Sequence, residues 1–191
     1  MPEKIREWIF KMRGGLWTLI FLIILFTAKK NNFNLKQILI ALAFIIAGQL
    51  WRCWAVGFIG LYRGENVKAQ KLATTGPYAL MRNPLYFGNF LIGFGWAIIA
   101  GFYAVMIFVV SFYVLYNLSI IPHEENFLRS KFGIEYESYC ARVKRFFPVI
   151  SKLKFENLRG GFNSKILMRS EIHTIISTIV GTLIIIAVCY T

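Results

Sequence analysis

From Leu85 to Ile121 the chain runs 37 residues without one Asp, Glu, Lys, Arg or His. As a single helix rising 1.5 Å per residue, this block would reach roughly 55 Å. The hydrocarbon core of a bilayer is about 30 Å thick and takes about 20 residues per crossing. The block therefore predicts a hairpin of two membrane helices turning near Gly101. A hairpin returns the chain to the side it left, so its flanks, 64–88 and 122–148, must meet at one membrane face. These two flanks carry most of the polar residues outside the termini.

Three more apolar stretches fit the same solvent. Gly14 to Ala28 is short, and Trp8, Ile9 and Phe10 extend it while Lys11 and Arg13 reach toward the interface. Phe26-Thr27-Ala28 followed by Lys29-Lys30 is a poor cleavage site, so this is read as an uncleaved anchor. The second stretch runs from Ile38 to about Leu61, interrupted by Gln49 and Arg52. The last, Ile172 to Tyr190, carries only His173 as a titratable group. The predicted fold class is all-α: a polytopic transmembrane helical bundle of about five spans, with a cytoplasmic interfacial helix after the fourth. Charged residues make up 16% of the chain, against about 25% in soluble domains. The net charge of +13 follows from topology. With the N-terminus inside, 18 Lys and Arg lie in the cytoplasm and 3 outside; the reverse orientation inverts that ratio. The expectation is a cell (inner) membrane protein, N-terminus cytoplasmic and C-terminus outside. No basic-aromatic module marks a nucleic-acid partner. Cys53, Cys140 and Cys189 are too few and too scattered for a disulfide framework, and no metal site is expected.

Local chemistry concentrates at the two flanks. Thr75-Gly76-Pro77-Tyr78 reads as a turn. Pro84, after Asn83, sits where a helix begins, a position that needs no backbone N–H. Gly93 and Gly95 mark either close helix packing or a notch for a ligand. Pro122, His123, Glu124 and Glu125 read as a helix start, with glutamates suited to the positive dipole end. Glu125 and Arg129 stand at i, i+4 and are expected to pair. Phe127, Leu128 and Phe132 share one side, which predicts a helix lying along the interface. Arg52 is either an intramembrane functional charge or a side chain that snorkels to the inner face, with equal weight on each.

The run TTGPYALMRNPLYFGNFL, then GFG, a hairpin, and EENFLRSKFGIEYESYCARVKRFFP resembles the isoprenylcysteine carboxyl methyltransferase and phospholipid N-methyltransferase superfamily. The resemblance spans roughly Arg63 to Pro148. It implies a membrane enzyme that uses S-adenosylmethionine on a lipophilic acceptor at the cytoplasmic face. The acceptor is a membrane lipid or lipidated small molecule: an isoprenylcysteine-like carboxylate, a phospholipid amine or another lipid. The family pattern R-H-P-x-Y-x-G falls on Arg82, Asn83, Pro84, Leu85, Tyr86, Phe87 and Gly88. The resemblance assigns cofactor contacts to Gln70, Lys71, Leu72, Ala73 and Tyr78, to Asn83, Pro84, Leu85 and Tyr86, to Gly93 and Gly95, and to Glu124 and Glu125. Of the two acids, Glu125 is the expected direct contact. Candidate catalytic groups are Glu124, His123 and Arg82. Two positions depart from the pattern: Asn83 stands where the family has His, and Ile121 where eukaryotic isoprenylcysteine enzymes carry a substrate-binding Arg. Residues 1–150 are expected to form the methyltransferase domain, and 151–191 a cytoplasmic linker plus an additional transmembrane helix. The competing expectations are a non-enzymatic scaffold or transporter subunit, and a relative that binds cofactor without turnover.

Overall fold

A computed structural model describes residues 2–28, 35–59, 71–149 and 162–190. Among them 84% are helical and none is in a strand. Helices α1 (Glu3–Thr27) and α2 (Leu35–Val56) are each long and apolar enough to cross a membrane. A 3₁₀ turn, Gly76–Ala79, precedes α3 (Pro84–Ala100). Helix α4 (Phe102–Phe112) passes through a π-helical segment, Tyr113–Ile120, into α5 (Ile121–Phe132). A short helix α6 (Ile134–Arg142) and the long α7 (Ser164–Tyr190) follow. The chain is an integral membrane protein: four of these helical stretches have spanning length, and α3 is a fifth, shorter apolar helix.

The hairpin turns where expected. Gly101 takes φ 110°, a conformation that only glycine adopts without strain, and α4 restarts at the next residue. Pro122, however, does not open a new helix. The backbone stays helical from Phe102 to Phe132. Pro122 has no N–H to bond the preceding turn. The widened π segment just before it, in which the Ile121 N–H donates to the Tyr116 carbonyl, absorbs that irregularity. The amphipathic non-spanning helix is α6, which turns Tyr136 and Tyr139 inward against Leu72 and Val143 and leaves Glu135 and Glu137 in solvent.

Helices α2 and α3 form the most extensive contact. On α2 the contact row is Ala41, Ile45, Gly48 and Arg52; on α3 it is Gly88, Ile92 and Gly95. A Cβ at Gly48 would lie 2.7 Å from the Gly88 carbonyl oxygen, and one at Gly95 would lie 2.7 Å from the Ala41 carbonyl oxygen. Small residues let the two backbones touch where lipid provides no hydrophobic drive. Helix α7 packs on both α2 and α3.

Candidate functional site

The two polar flanks meet as the hairpin requires. The Arg82 backbone N–H donates to the Lys144 carbonyl at 2.9 Å, and the Val149 N–H donates to the Leu80 carbonyl at 3.1 Å. The Tyr139 hydroxyl donates to the Tyr78 carbonyl at 2.7 Å. Asn83 Nδ2 donates to the Arg145 carbonyl at 3.0 Å.

Glu125 stands at the centre of this junction. Its Oε1 accepts from Arg82 Nε at 3.0 Å and lies 2.9 Å from Arg82 Nη2, and its Oε2 accepts from Arg145 Nη2 at 2.7 Å. The expected Glu125–Arg129 pair is not made. Glu125 turns inward and is 4% exposed, while Arg129 bonds Glu137 at 2.9 Å on the surface. Arg82 Nη1 also donates to the carbonyls of Cys140 and Val143, at 3.2 and 3.0 Å. Burial alone would lower the pKa of Arg82; the charge and hydrogen bond of Glu125 outweigh it and raise it. Burial, then the Glu125 charge, pushes the Tyr136 phenol above its ordinary value, and burial does the same to Tyr139.

A cavity of about 1050 Å³ opens beside this junction. Ten of the residues expected to contact a cofactor line it: Lys71, Leu72, Ala73, Tyr78, Asn83, Pro84, Leu85, Tyr86, Glu124 and Glu125. The Tyr86 hydroxyl donates to Glu124 Oε1 at 2.6 Å, which fixes that carboxylate at the wall. The Tyr136 hydroxyl lines the cavity, is fully buried, and finds no nitrogen or oxygen partner among the described residues.

Gly93 with Gly95, and His123, come out differently, and of the two readings of Arg52 one is set aside. Gly93 and Gly95 do not line the cavity. A Cβ at Gly93 would strike Phe108 and Trp17, and one at Gly95 would strike Ile45, so both serve helix packing. His123 is turned away as well; its Nδ1 lies 3.5 Å from Glu3 Oε1 and its ring packs 5.1 Å from that of Phe10. Arg52 does not snorkel. It is 4% exposed and bonds Glu171 at two points, Nε to Oε2 at 3.2 Å and Nη2 to Oε1 at 2.9 Å. Gln70 lies outside the described residues.

The sequence reading passed over Arg145, Asn89, Tyr116 and Glu171. Glu171 carried the one available signal: an acid standing directly before the last apolar stretch, opposite an intramembrane arginine. Helix α7 begins eight residues earlier than the apolar stretch, which carries Glu171 into the packed bundle.

The model of the phospholipid methyltransferase family matches residues 35–135. That is more than half of the chain, and the chain belongs to this family. It is 26% identical over 165 residues to the nickel-cobalt-cadmium resistance protein NccN of Alcaligenes xylosoxydans xylosoxydans, covering 82% of this chain and 74% of that one. It is 34% identical over 121 residues to a probable protein-S-isoprenylcysteine O-methyltransferase of Oryza sativa subsp. indica, covering 58% and 61%. It is 30% identical over 76 residues to the Delta(14)-sterol reductase LBR of Gallus gallus, covering 38% and 12%. The chain thus spans less than two thirds of the last two relatives. No solved structure matches it.

Proposed function

We propose that this member of the phospholipid methyltransferase family transfers a methyl group from S-adenosylmethionine to a lipophilic acceptor, at the cytoplasmic face of the membrane in which it sits. The observation that carries the reading is the cavity, because it gathers residues from two flanks far apart in sequence, among them the buried Tyr136 hydroxyl, which has no nitrogen or oxygen partner among the described residues.

The residues present fit the cofactor. Glu124 and Lys71 offer opposite charges for its amino and carboxylate groups, and the Tyr136 hydroxyl offers a donor. The rings of Tyr78 and Tyr86 provide faces that attract a cation. Bound S-adenosylmethionine would supply the electrophilic methyl. The protein's share is alignment and the exclusion of water. Tyr86 holds Glu124 at the wall, and Arg82 and Arg145 hold Glu125, which in turn ties α5 to the loop after α6. Glu125 is therefore assigned the frame and Glu124 the direct contact. Residues 1–150 are the methyltransferase unit in this reading. The 18-to-3 distribution of basic residues supports a cytoplasmic cavity mouth.

The test is calorimetric titration of nanodisc-held protein with S-adenosylmethionine, followed by incubation with labelled methyl donor and native lipid extract. Micromolar binding that weakens about tenfold in Glu124→Gln or Tyr136→Phe is expected, the scale of one charge-assisted hydrogen bond. Absence of binding in a folded sample would overturn the reading in favour of a non-enzymatic scaffold. Binding without any labelled lipid would favour a relative that keeps the cofactor and has lost turnover.

A further inference from the structure

Helix α7 lies beyond residues 35–135, the part that the family model matches, yet its first residues bear on the cavity. Three polar links zip it to α2. The Asn163 backbone N–H donates to the Gly57 carbonyl at 2.8 Å, Arg52 Nη2 donates to Glu171 Oε1 at 2.9 Å, and Thr178 Oγ1 donates to Gln49 Oε1 at 3.0 Å. Positions rise on α7 as they fall on α2, so the two helices run antiparallel. Asn163 also starts α7: its Oδ1 accepts from the backbone N–H groups of Lys165 and Ile166 at 3.0 and 3.3 Å, an N-cap. One residue therefore caps α7 and ties it to the end of α2.

The residue before Asn163 carries the contact on to the cavity. The Phe162 ring lies where a Cβ at Gly57 would stand, so only glycine admits it there. It packs 5.9 Å from the Phe58 ring at 65°, edge to face. Phe58 lines the cavity, while Phe162, half exposed, stands behind it and outside. The tip of the Phe58 ring in turn presses on Gly76: a Cβ there would lie 2.6 Å from its Cε1 and Cζ. Gly76 holds φ +61° and opens the turn Gly76–Ala79. Thr75 and Tyr78, on either side of Gly76, line the cavity. Glycine takes either sign of φ about equally readily, so its neighbours, not residue 76 itself, must fix this turn. Phe58 is one such neighbour. Tyr139, whose hydroxyl donates to the Tyr78 carbonyl at 2.7 Å, is another.

We propose that Phe162 and Phe58 form a clamp through which α7 positions the turn at Gly76, and that this clamp sets how tightly the cavity holds its ligand. Phe162 is the positioning residue, and Phe58 carries its effect to the wall. With both rings in place the turn is ordered before a ligand arrives. Without the Phe162 ring the ordering falls to the binding step, and affinity drops. The rate of the bound complex does not change, because Tyr86 holds Glu124 through a separate bond between α3 and α5. That the ligand is S-adenosylmethionine rests on the function proposed above; the clamp itself is measured without it.

The experiment uses the full chain in phosphatidylcholine nanodiscs. Hydrogen exchange of the ligand-free protein, read by mass spectrometry, compares 75–81 with α3 and α7. Phe162→Ala should speed exchange across 75–81 about fivefold, the scale of one aromatic pair, and leave α3 and the later turns of α7 at wild-type rates. Phe162→Tyr keeps the ring and should restore the wild-type pattern. Titration with S-adenosylmethionine should give a Kd about fivefold higher for Phe162→Ala and unchanged for Phe162→Tyr. With labelled methyl donor and native lipid extract, KM for the donor should rise in Phe162→Ala while kcat holds. Exchange at 75–81 unmoved by Phe162→Ala, raised as much by Phe162→Tyr, or raised equally throughout α3 and α7 would overturn the proposal. Phe162→Leu, apolar but without a ring, decides the matter if the alanine variant fails to fold. The expected exchange pattern without S-adenosylmethionine binding to the wild type would sink the methyltransferase reading and leave the clamp standing. Wild-type binding with a Kd indifferent to residue 162 would do the reverse.

Discussion

Removing one partner of the Arg52–Glu171 pair breaks a two-point contact inside the bundle. The side chains are 5% and 0% exposed, and two hydrogen bonds of 3.2 and 2.9 Å join them. Truncating one member of such a pair costs about 3–5 kcal/mol, whereas replacing both by apolar side chains of similar volume is near neutral or stabilising. Arg52→Met and Glu171→Leu should each fall in that range, and the double variant should lie within about 1 kcal/mol of the wild type. That gives a coupling of 3 kcal/mol or more, well above the roughly 0.6 kcal/mol mean for hydrogen bonds between membrane helices. Equilibrium unfolding in mixed micelles with increasing dodecyl sulfate, followed by circular dichroism, measures all four corners of the cycle. Single variants costing under 1 kcal/mol and adding independently would refute the reasoning, since the pair would then be solvated.

Three further outcomes are expected. Gly48→Ala places a Cβ 2.7 Å from the Gly88 carbonyl and should destabilise by about 1–3 kcal/mol, while Gly14→Ala, with no atom within 4 Å, should be neutral or stabilise by up to about 1 kcal/mol in the same unfolding assay. Glu125→Ala leaves Arg82 and Arg145 facing each other without a carboxylate and should lower thermal stability by about 3 kcal/mol, with Glu125→Gln losing less because the amide oxygen still accepts; scanning calorimetry separates them. Tyr136 and Tyr139 are held above the ordinary phenol pKa by burial, so their contribution to stability is complete below the unfolded value near 10 and is lost as pH rises through the higher folded value. Absorbance titration at alkaline pH should show these two phenols ionising after the exposed ones, and a Tyr136→Phe, Tyr139→Phe double variant should shrink that late step by two phenols.

The spans were legible because lipid leaves a chain few options. A charge-free block too long for one crossing has to double back, and Gly101 was the residue able to make the turn. That the two polar flanks meet followed from the same geometry. Which side chains meet did not follow. A glutamate with an arginine four residues on reads as a helix-surface pair, but Glu125 points into the bundle, where Arg82 and Arg145 arrive from elements 43 residues before and 20 residues after it. Pairings of that range carry no periodic signature. Gly93 and Gly95 show the opposite difficulty: a glycine opens space equally for a ligand or for a neighbouring helix, and only the position of Phe108 and Ile45 decides between them. The reach of α7 was underestimated because hydropathy stops at a charge, whereas a helix continues through one that finds its partner.

The substitution of Asn for the family histidine at position 83 fits this arrangement. Asn83 is 8% exposed at the head of α3, and its Nδ2 donates to the Arg145 carbonyl, the backbone of the residue whose side chain holds Glu125. An amide does this without titrating, so the link between α3 and the loop after α6 keeps the same charge across the physiological range. A histidine there would gain a second donor on protonation and make the same link depend on pH. Position 83 thus ties the frame together without adding a group that titrates near neutrality.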